Sequence, residues 1–473
     1  MKISFGSSMP PDLSESDLKD IGLLQWRLEC PRMTIKCRDR DARATYYGAG
    51  RIFLTNNGLL SFECYSHRER KTKKWDLGSQ VKAGKLIPDR AFYDVIAFDR
   101  NGKKWLSSRT IPKVHRTADG RAILRGEIDE IVTTGTMPDE LKLSGSSIMF
   151  WVFEDIEIPT NRSTLLRKTI AGAKVKSTSG SHNAWQFTSS KIEYLLIKDG
   201  ESRLTVRIKS NDQSFPDGFE RRLVEAFHLV LGKPLNWMAM RVQEGQHIEV
   251  RIRRRIPWRG RLDPPLPQMN IHRKDSNKLT PAYHRSLFHR FMRHVVHTKH
   301  FRHPIWGQLN AISESSASTF IDAKALTLTV AIESLLGSEF QSLGVPTRKT
   351  TESIKQISEH IQEWDGGPTI KARTLGMVGN LNYSRAMDKM RALTDKGAIT
   401  KDQYEAWRKL RNPSAHSYLS SGLPTPKMVE LLQKCEVLFY HLVFYSIGYR
   451  GPYIDYATPG WPLRSYPENS PWR

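Results

Sequence analysis

The chain reads as α+β, with strands gathered in its first half and helices in its second, and three observations carry that expectation. Through about residue 245, short apolar or alternating runs are broken by Gly, Pro, Asn and Asp, the pattern of strands joined by turns. From about residue 281 onward, apolar residues recur at a spacing of three and four, the period of a helix with one buried face. Between them, residues 246–280 are basic and proline-rich, suited to a connector. At 473 residues the chain has room for two or three domains. The expected division is a β-rich domain over 1–245, a connector over 246–280, a helical domain over 281–450 and a Pro/aromatic-rich tail over 451–473.

Taken in order, Ile52 to Leu54, Leu59 to Cys64, Ala122 to Ile128, Ile148 to Ile158 and Leu204 to Ile208 are the strand candidates. One helix is expected among them, Phe219 to Leu231, stopped by Gly232-Lys233-Pro234. Trp237 to Val242 then resumes as a strand. A sandwich or open barrel carrying one helix fits this series, and no internal repeat is visible. Beyond the connector, Tyr283 to Val296 places Leu287, Phe291, Met292 and Val295 on one face, with Arg and His on the other. Ile321, Ala325, Leu328, Ile332, Leu335 and Leu336 form a second stripe. A helix starting at Thr425-Pro426 carries Met428, Leu431, Leu432, Cys435, Leu438, Phe439 and Leu442. Four or five such helices make a bundle.

There are 73 Lys and Arg against 49 Asp and Glu, a net charge of +24, which favours a polyanionic partner. The excess is uneven. Between Arg241 and Asn310 there are 15 Lys and Arg but 4 Asp and Glu. Six histidines lie between His284 and His303, and Trp258, Phe301 and Trp306 could stack on bases. This is either a nucleic-acid surface or a solvated basic face with a linker. Arg251, Arg253, Arg254 and Arg255, with Lys409 farther along, are the expected RNA contacts. No metal site is expected from the histidines, because H-E-x-x-H is absent and no Cys or carboxylate stands at ligand spacing. Cys30, Cys37, Cys64 and Cys435 are scattered without C-x-x-C spacing and read as reduced thiols of a cytoplasmic protein. Neither a signal-peptide run nor about 20 consecutive apolar residues occurs, so no membrane association is expected.

The chemistry is carried by Arg411-Asn412-Pro413-Ser414-Ala415-His416. Thr400-Lys401-Asp402-Gln403 reads as a capping box that starts a helix, and Trp407 and Leu410 turn it toward a core. Pro413 is expected to end that helix at Asn412 and to open a new turn. Arg411 is always charged and can fork onto phosphate oxygens as negative charge grows. The His416 imidazole, with an ordinary pKa of ~6.5, can take or give a proton at neutral pH. Such a pair suits phosphodiester cleavage without a metal. Its plain alternative is a helix-end cation and a surface histidine. Glu333 shares a helical face with Leu326, Val330 and Gly337. It either orients Arg411 or His416 or pairs with some nearby cation.

The stretch L-R-N-P-S-A-H, Leu410 to His416, resembles the R-x(4–6)-H signature of HEPN domains. Leu326 to Gly337, L-T-L-T-V-A-I-E-S-L-L-G, resembles their first long helix. With a long β-rich half ahead of it, the chain looks most like ApeA-type abortive-infection proteins of bacteria; the resemblance covers roughly the last third of the sequence. Ser417 stands where Gly is common. The resemblance implies a metal-independent endoribonuclease without cofactor, in which the RNA 2′-OH attacks its own phosphate. It implies that His416 is the general acid or base, that Arg411 stabilises the phosphorane and that Asn412 orients its neighbours. It further implies a composite site in a homodimer or higher homo-oligomer, with a phage or stress trigger. The rival is a non-catalytic HEPN used for dimerisation or nucleic-acid binding, with function in the first half.

Other signatures do not compete. No P-loop and no G-x-S-x-G occurs. Gly48-Ala49-Gly50 reads as a turn, and Pro138-Asp139-Glu140-Leu141-Lys142 holds the letters of a metal-dependent nuclease in one short loop, where they cannot occupy paired strands.

Overall fold

The structure is a computed structural model describing residues 12–39, 45–70, 86–118, 121–137, 145–163, 166–170, 173–177, 183–199, 203–211, 214–257, 260, 262–267, 281–318, 320–415 and 425–467. It has the α+β layout, an antiparallel sheet followed by a helical region. The chain divides into two compact units, one of 1–217 with 235–258 and the other of 218–234 with 259–473.

The first unit is built on one sheet of 14 strands among the described residues, every pairing antiparallel. From edge to edge it runs Ala184–Ser189, Ile192–Lys198, Leu204–Ser210, Ser146–Val152, Trp237–Glu244, His247–Arg253, Glu130–Thr136, Lys104–Thr110, Tyr93–Phe98, Arg27–Cys37, Thr45–Leu54, Leu60–Arg70, Ala122–Ile128 and Lys113–Arg116. Alternation decides which face is covered. Tyr93, Val95 and Ala97 are buried while Asp94, Ile96 and Phe98 are half-buried, the period-two signature of a one-sided sheet. At the far end of the Lys104–Thr110 strand, Thr110 Oγ1 donates to the Glu127 carbonyl at 2.8 Å, so this part of the sheet curls back on itself. Helix α1, Glu15–Gly22, opens with a Ser14–Asp17 capping box and buries Leu18 and Ile21 in the core with Trp26, Met33, Phe62 and Trp105. Gly48 and Gly50 lie inside a strand and not in a turn as the sequence suggests. A Cβ at either would come within 2.1 Å and 2.0 Å of the Tyr65 and Glu63 carbonyl oxygens, so only glycine permits the close approach. Ile148 to Ile158 is a strand only through Val152.

The second unit contains α2 (Phe219–Leu231), α3 (Pro281–Val295), α4 (Pro304–Ser315), α5 (Ile321–Glu339), α6 (Arg348–Glu363), α7 (Pro368–Gly379), α8 (Ala386–Asp395), α9 (Lys401–Ala415) and α10 (Thr425–Ile447). Helix α2 departs from the sequence reading. It falls inside the expected β-rich span, yet it packs on α3, with the Phe227 and Phe288 ring centroids 4.8 Å apart. Burial explains this: ten of its thirteen residues are buried, charged Arg222 and Glu225 among them. Gly232 ends it in the left-handed region, φ 69°. The expected α3 face is buried, but His284 joins it. The described part of the expected Pro/aromatic-rich tail, through residue 467, is structured. Gly451–Ile454 and Leu463–Tyr466 pair as a hairpin, and Tyr466 donates to the Ala398 carbonyl at 3.1 Å. Its rings pack against His441 of α10, with the Tyr453 centroid at 4.7 Å and that of Tyr466 at 4.8 Å.

Candidate active site

Helix α9 begins where the sequence says. The Gln403 N–H donates to Thr400 Oγ1 at 3.2 Å and the Thr400 N–H donates to Gln403 Oε1 at 3.0 Å, the reciprocal capping box. Gln403 is buried, and its Nε2 lies 3.1 Å from His441 Nδ1. The start of α9 is thereby tied to α10. Lys434 adds ion pairs to Asp402 at 2.9 Å and to Glu430 at 3.0 Å.

Trp407 and Leu410 are fully buried, and the following residue stands at the edge of that buried face. Arg411 sits there, half-exposed, with its guanidinium carbon 5.7 Å from the Trp407 ring centroid. Its Nε donates to Glu333 Oε1 of α5. The two side chains are 39% and 36% exposed, so solvent screens the pair and its worth to folding is ~0–1 kcal/mol. What the contact supplies is direction. One fixed Nε–H···O bond sets the plane of a rigid guanidinium, whose terminal nitrogens form the edge that grips phosphate. Glu333 itself is no buried charge in an apolar stripe. Leu326 and Val330, on its face, are 46% and 54% exposed, while Leu328, Ile332 and Leu335 face the core.

The backbone stays helical through Ala415, so the expected break at Asn412 does not occur. Pro413 falls in the last turn, where the missing N–H removes one bond and little helix remains to disrupt. His416 lies outside the described residues, as does the side chain of Asn412. Trp258 and residues 138–142 also lie outside them.

The expected RNA contacts are placed unlike one another. Arg251 and Arg253 are in the His247–Arg253 strand of the β unit. Arg251 pairs with Glu249 and, at 4.0 Å, with Glu130. Arg253 lies 3.9 Å from the Trp237 ring centroid and donates to the Trp237 carbonyl, and burial pushes its pKa down to about 10. Arg254 pairs with Asp129 at 3.0 Å, and Arg255 is exposed, packed beside Gly58. Arg251 and Arg253 thus serve the sheet, while Arg254 and Arg255 stand exposed just beyond the end of its strand. Lys409 is exposed but two residues from Arg411, about 200° around the helix, so it does not share the arginine's face.

The helical unit carries cation–aromatic pairs, one of them formed by a cation that sequence reasoning missed. The exposed Arg221 of α2 lies 4.4 Å from the Phe301 ring centroid, and Arg302 lies 5.0 Å from that of Trp306. Phe301 is 69% exposed. A cation beside an exposed ring is a sequence-tolerant surface for single-stranded nucleic acid. Arg221 escaped notice because α2 stands far upstream of the basic segment. In the β unit a groove of about 320 Å³ has Arg207, Arg241, Met149, Gln186 and Leu195 in its lining.

No family model, no curated protein and no solved structure matches the chain.

Proposed function

We propose that the helical unit is a metal-independent endoribonuclease of the HEPN type and that the chain acts in bacterial anti-phage defence, in the manner of ApeA-like abortive-infection proteins. The single observation that supports this best is the arginine of the R-N-P-S-A-H motif, brought out of the core by α9 and held by Glu333 of α5. The motif supplies the residue types that the reaction needs. A base takes the proton of the 2′-OH and the 2′-oxygen attacks phosphorus. The bond to the 5′-oxygen breaks, and an acid returns a proton to it, leaving a 2′,3′-cyclic phosphate and a 5′-hydroxyl. His416 is assigned the proton transfers, with Asn412 orienting its neighbours. Arg411 is assigned the charge of the phosphorane.

Two motifs from a homodimer or higher homo-oligomer complete the acid and base. RNA is held through cation–aromatic surface such as Arg221 with Phe301, and the β-rich half receives the phage or stress trigger. The compartment is the cytoplasm. Among the described residues no helix is long and apolar enough to cross a membrane.

The test is induction of the wild type and His416→Ala in parallel, with purified protein assayed on RNA with and without EDTA. Growth arrest and EDTA-resistant cleavage by the wild type alone are expected. Equal tolerance of both proteins under the triggering condition would instead favour a non-catalytic module used for dimerisation or nucleic-acid binding.

A further inference from the structure

Three side chains from three elements of the helical unit meet away from the proposed cleavage motif. His294 lies in the last turn of α3, His303 is the N-cap of α4 and Glu339 is the final residue of α5. His294 Nε2 is 2.8 Å from Glu339 Oε2. The two imidazole centroids are 5.3 Å apart, and one donor atom from each of the three residues lies within 4.8 Å of the others. His303 is buried, while His294 and Glu339 are half-buried, so one side of the cluster stays open to water.

We propose that His294, His303 and Glu339 bind a single divalent transition-metal ion, zinc by preference, with water completing the coordination.

Two neutral imidazoles and one carboxylate are a donor set suited to zinc. At metal–ligand distances of about 2.1 Å, tetrahedral ligand atoms stand about 3.4 Å apart. The present atoms need to close by no more than about 1.4 Å to reach that spacing, within reach of side-chain torsions alone. The scaffold already fixes the least mobile member. The His303 N–H donates to Glu225 Oε1 at 3.3 Å, and Arg222, bound to both Glu225 oxygens at 2.7 Å, also donates to the His300 carbonyl. That arrangement holds the α3–α4 loop and pairs the Arg222 guanidinium with Glu225.

The cap sets the tautomer of His303. His303 Nδ1 accepts from the Ile305 N–H at 3.3 Å, a long bond, which leaves Nε2 for the ion. Loading shifts the ring proton from Nε2 to Nδ1 and gives up that cap. His294 exchanges its contact with Glu339 for a shared ion. Glu339 lies six residues beyond Glu333 on α5, about 9 Å along the axis and about 120° around it. The ion would therefore join α3, α4 and α5, keep a water-filled coordination position and stand apart from the Arg411 chemistry.

The test uses the full chain, stripped with EDTA and desalted, then titrated with Co²⁺ as a visible-absorption probe and chased with Zn²⁺. One Co²⁺ per chain, displaced by one Zn²⁺, is expected. Glu339→Gln, which keeps the size and polarity of the side chain, should weaken binding at least about tenfold, and His294→Asn likewise. Should His303→Ala fail to fold, these two variants still decide the matter, with circular dichroism reporting their integrity. Failure of the wild type to take up cobalt or zinc at micromolar concentration would overturn the proposal. So would undiminished binding by folded Glu339→Gln and His294→Asn, which would assign the ion to other histidines.

Discussion

Removing the Glu333 carboxylate leaves Arg411 free to turn about its side-chain torsions while costing the fold little. Glu333→Gln should therefore change unfolding free energy by less than ~1 kcal/mol, yet slow RNA cleavage roughly ten- to hundredfold through misorientation. Arg411→Ala should cost about 100-fold or more in rate with RNA affinity mostly kept. Single-turnover cleavage beside a binding titration separates the two effects. The opposite case is Arg253. Stacked on Trp237 and bonded to its carbonyl, it should cost the β unit ~1–3 kcal/mol when replaced by Ala. The salt dependence of RNA binding should stay unchanged. Urea unfolding and a salt series check both halves; a flattened salt slope would return Arg253 to the RNA surface. A run of arginines in sequence shows charge, but not whether a tryptophan on the neighbouring strand has claimed one of them.

Helix α9 was the most legible element because its start rests on local chemistry. Thr400 and Gln403 are three residues apart and need nothing else. Thr400→Ala should cost ~1 kcal/mol, read as a lower midpoint in thermal unfolding of the helical unit. The end of α9 was less legible, since a proline in the last turn of a helix and one that breaks a helix look alike in sequence. Helices α3, α5 and α10 were visible through their apolar faces. Helices α6 and α7 were not picked out. Helix α6 carries Ile354, Ile357 and Ile361 at helical spacing, but Ile354 is its one buried residue, and α7 has none among its described residues; a short apolar stripe in a mostly polar segment does not say whether it meets a core. The placement of α2 was invisible for a different reason: its periodicity shows a helix, whereas its partner α3 lies beyond the whole 232–280 segment. The Glu333–Arg411 contact, 78 residues apart in sequence, was open as one of several pairings until α5 and α9 were packed together.

Across the whole molecule, the two units should respond to acid differently. His228, His284 and His441 are buried in the helical unit, and burial pushes their pKa values down to about 3, 4 and 3. Desolvation is the leading cause in each, and for His284 a hydrogen bond at Pro267 opposes it only in part. Their folded pKa values lie below the unfolded ~6.5, so the unfolded chain takes up protons first as pH falls. Their stabilisation is full above pH ~6.5 and is lost on acidification toward their folded values. Glu225 and Glu436 work the other way. Burial raises both, Glu436 to about 7, so Glu436 favours the fold as pH drops from ~7 to ~4.5, and Glu225 acts in the same direction to offset part of the loss. The helical unit should thus lose stability slowly down to pH ~4.5 and more steeply below it, each of these buried histidines contributing up to ~1.4 kcal/mol per pH unit. Hydrogen exchange along a pH series checks this, and equal sensitivity of the two units would refute it. The division into strands and helices was readable because period two and period 3.6 differ over any ten residues. Where the chain passes between units was not, because those passages at 217–218, 234–235 and 258–259 depend on packing and not on composition.

The proposal that this chain cuts RNA through Arg411 and His416 is tested most directly by sequencing RNA ends after inducing wild type and His416→Ala side by side. New 2′,3′-cyclic phosphate ends should accumulate with the wild type and be absent with the variant. Identical end profiles from the two proteins under the triggering condition would contradict it.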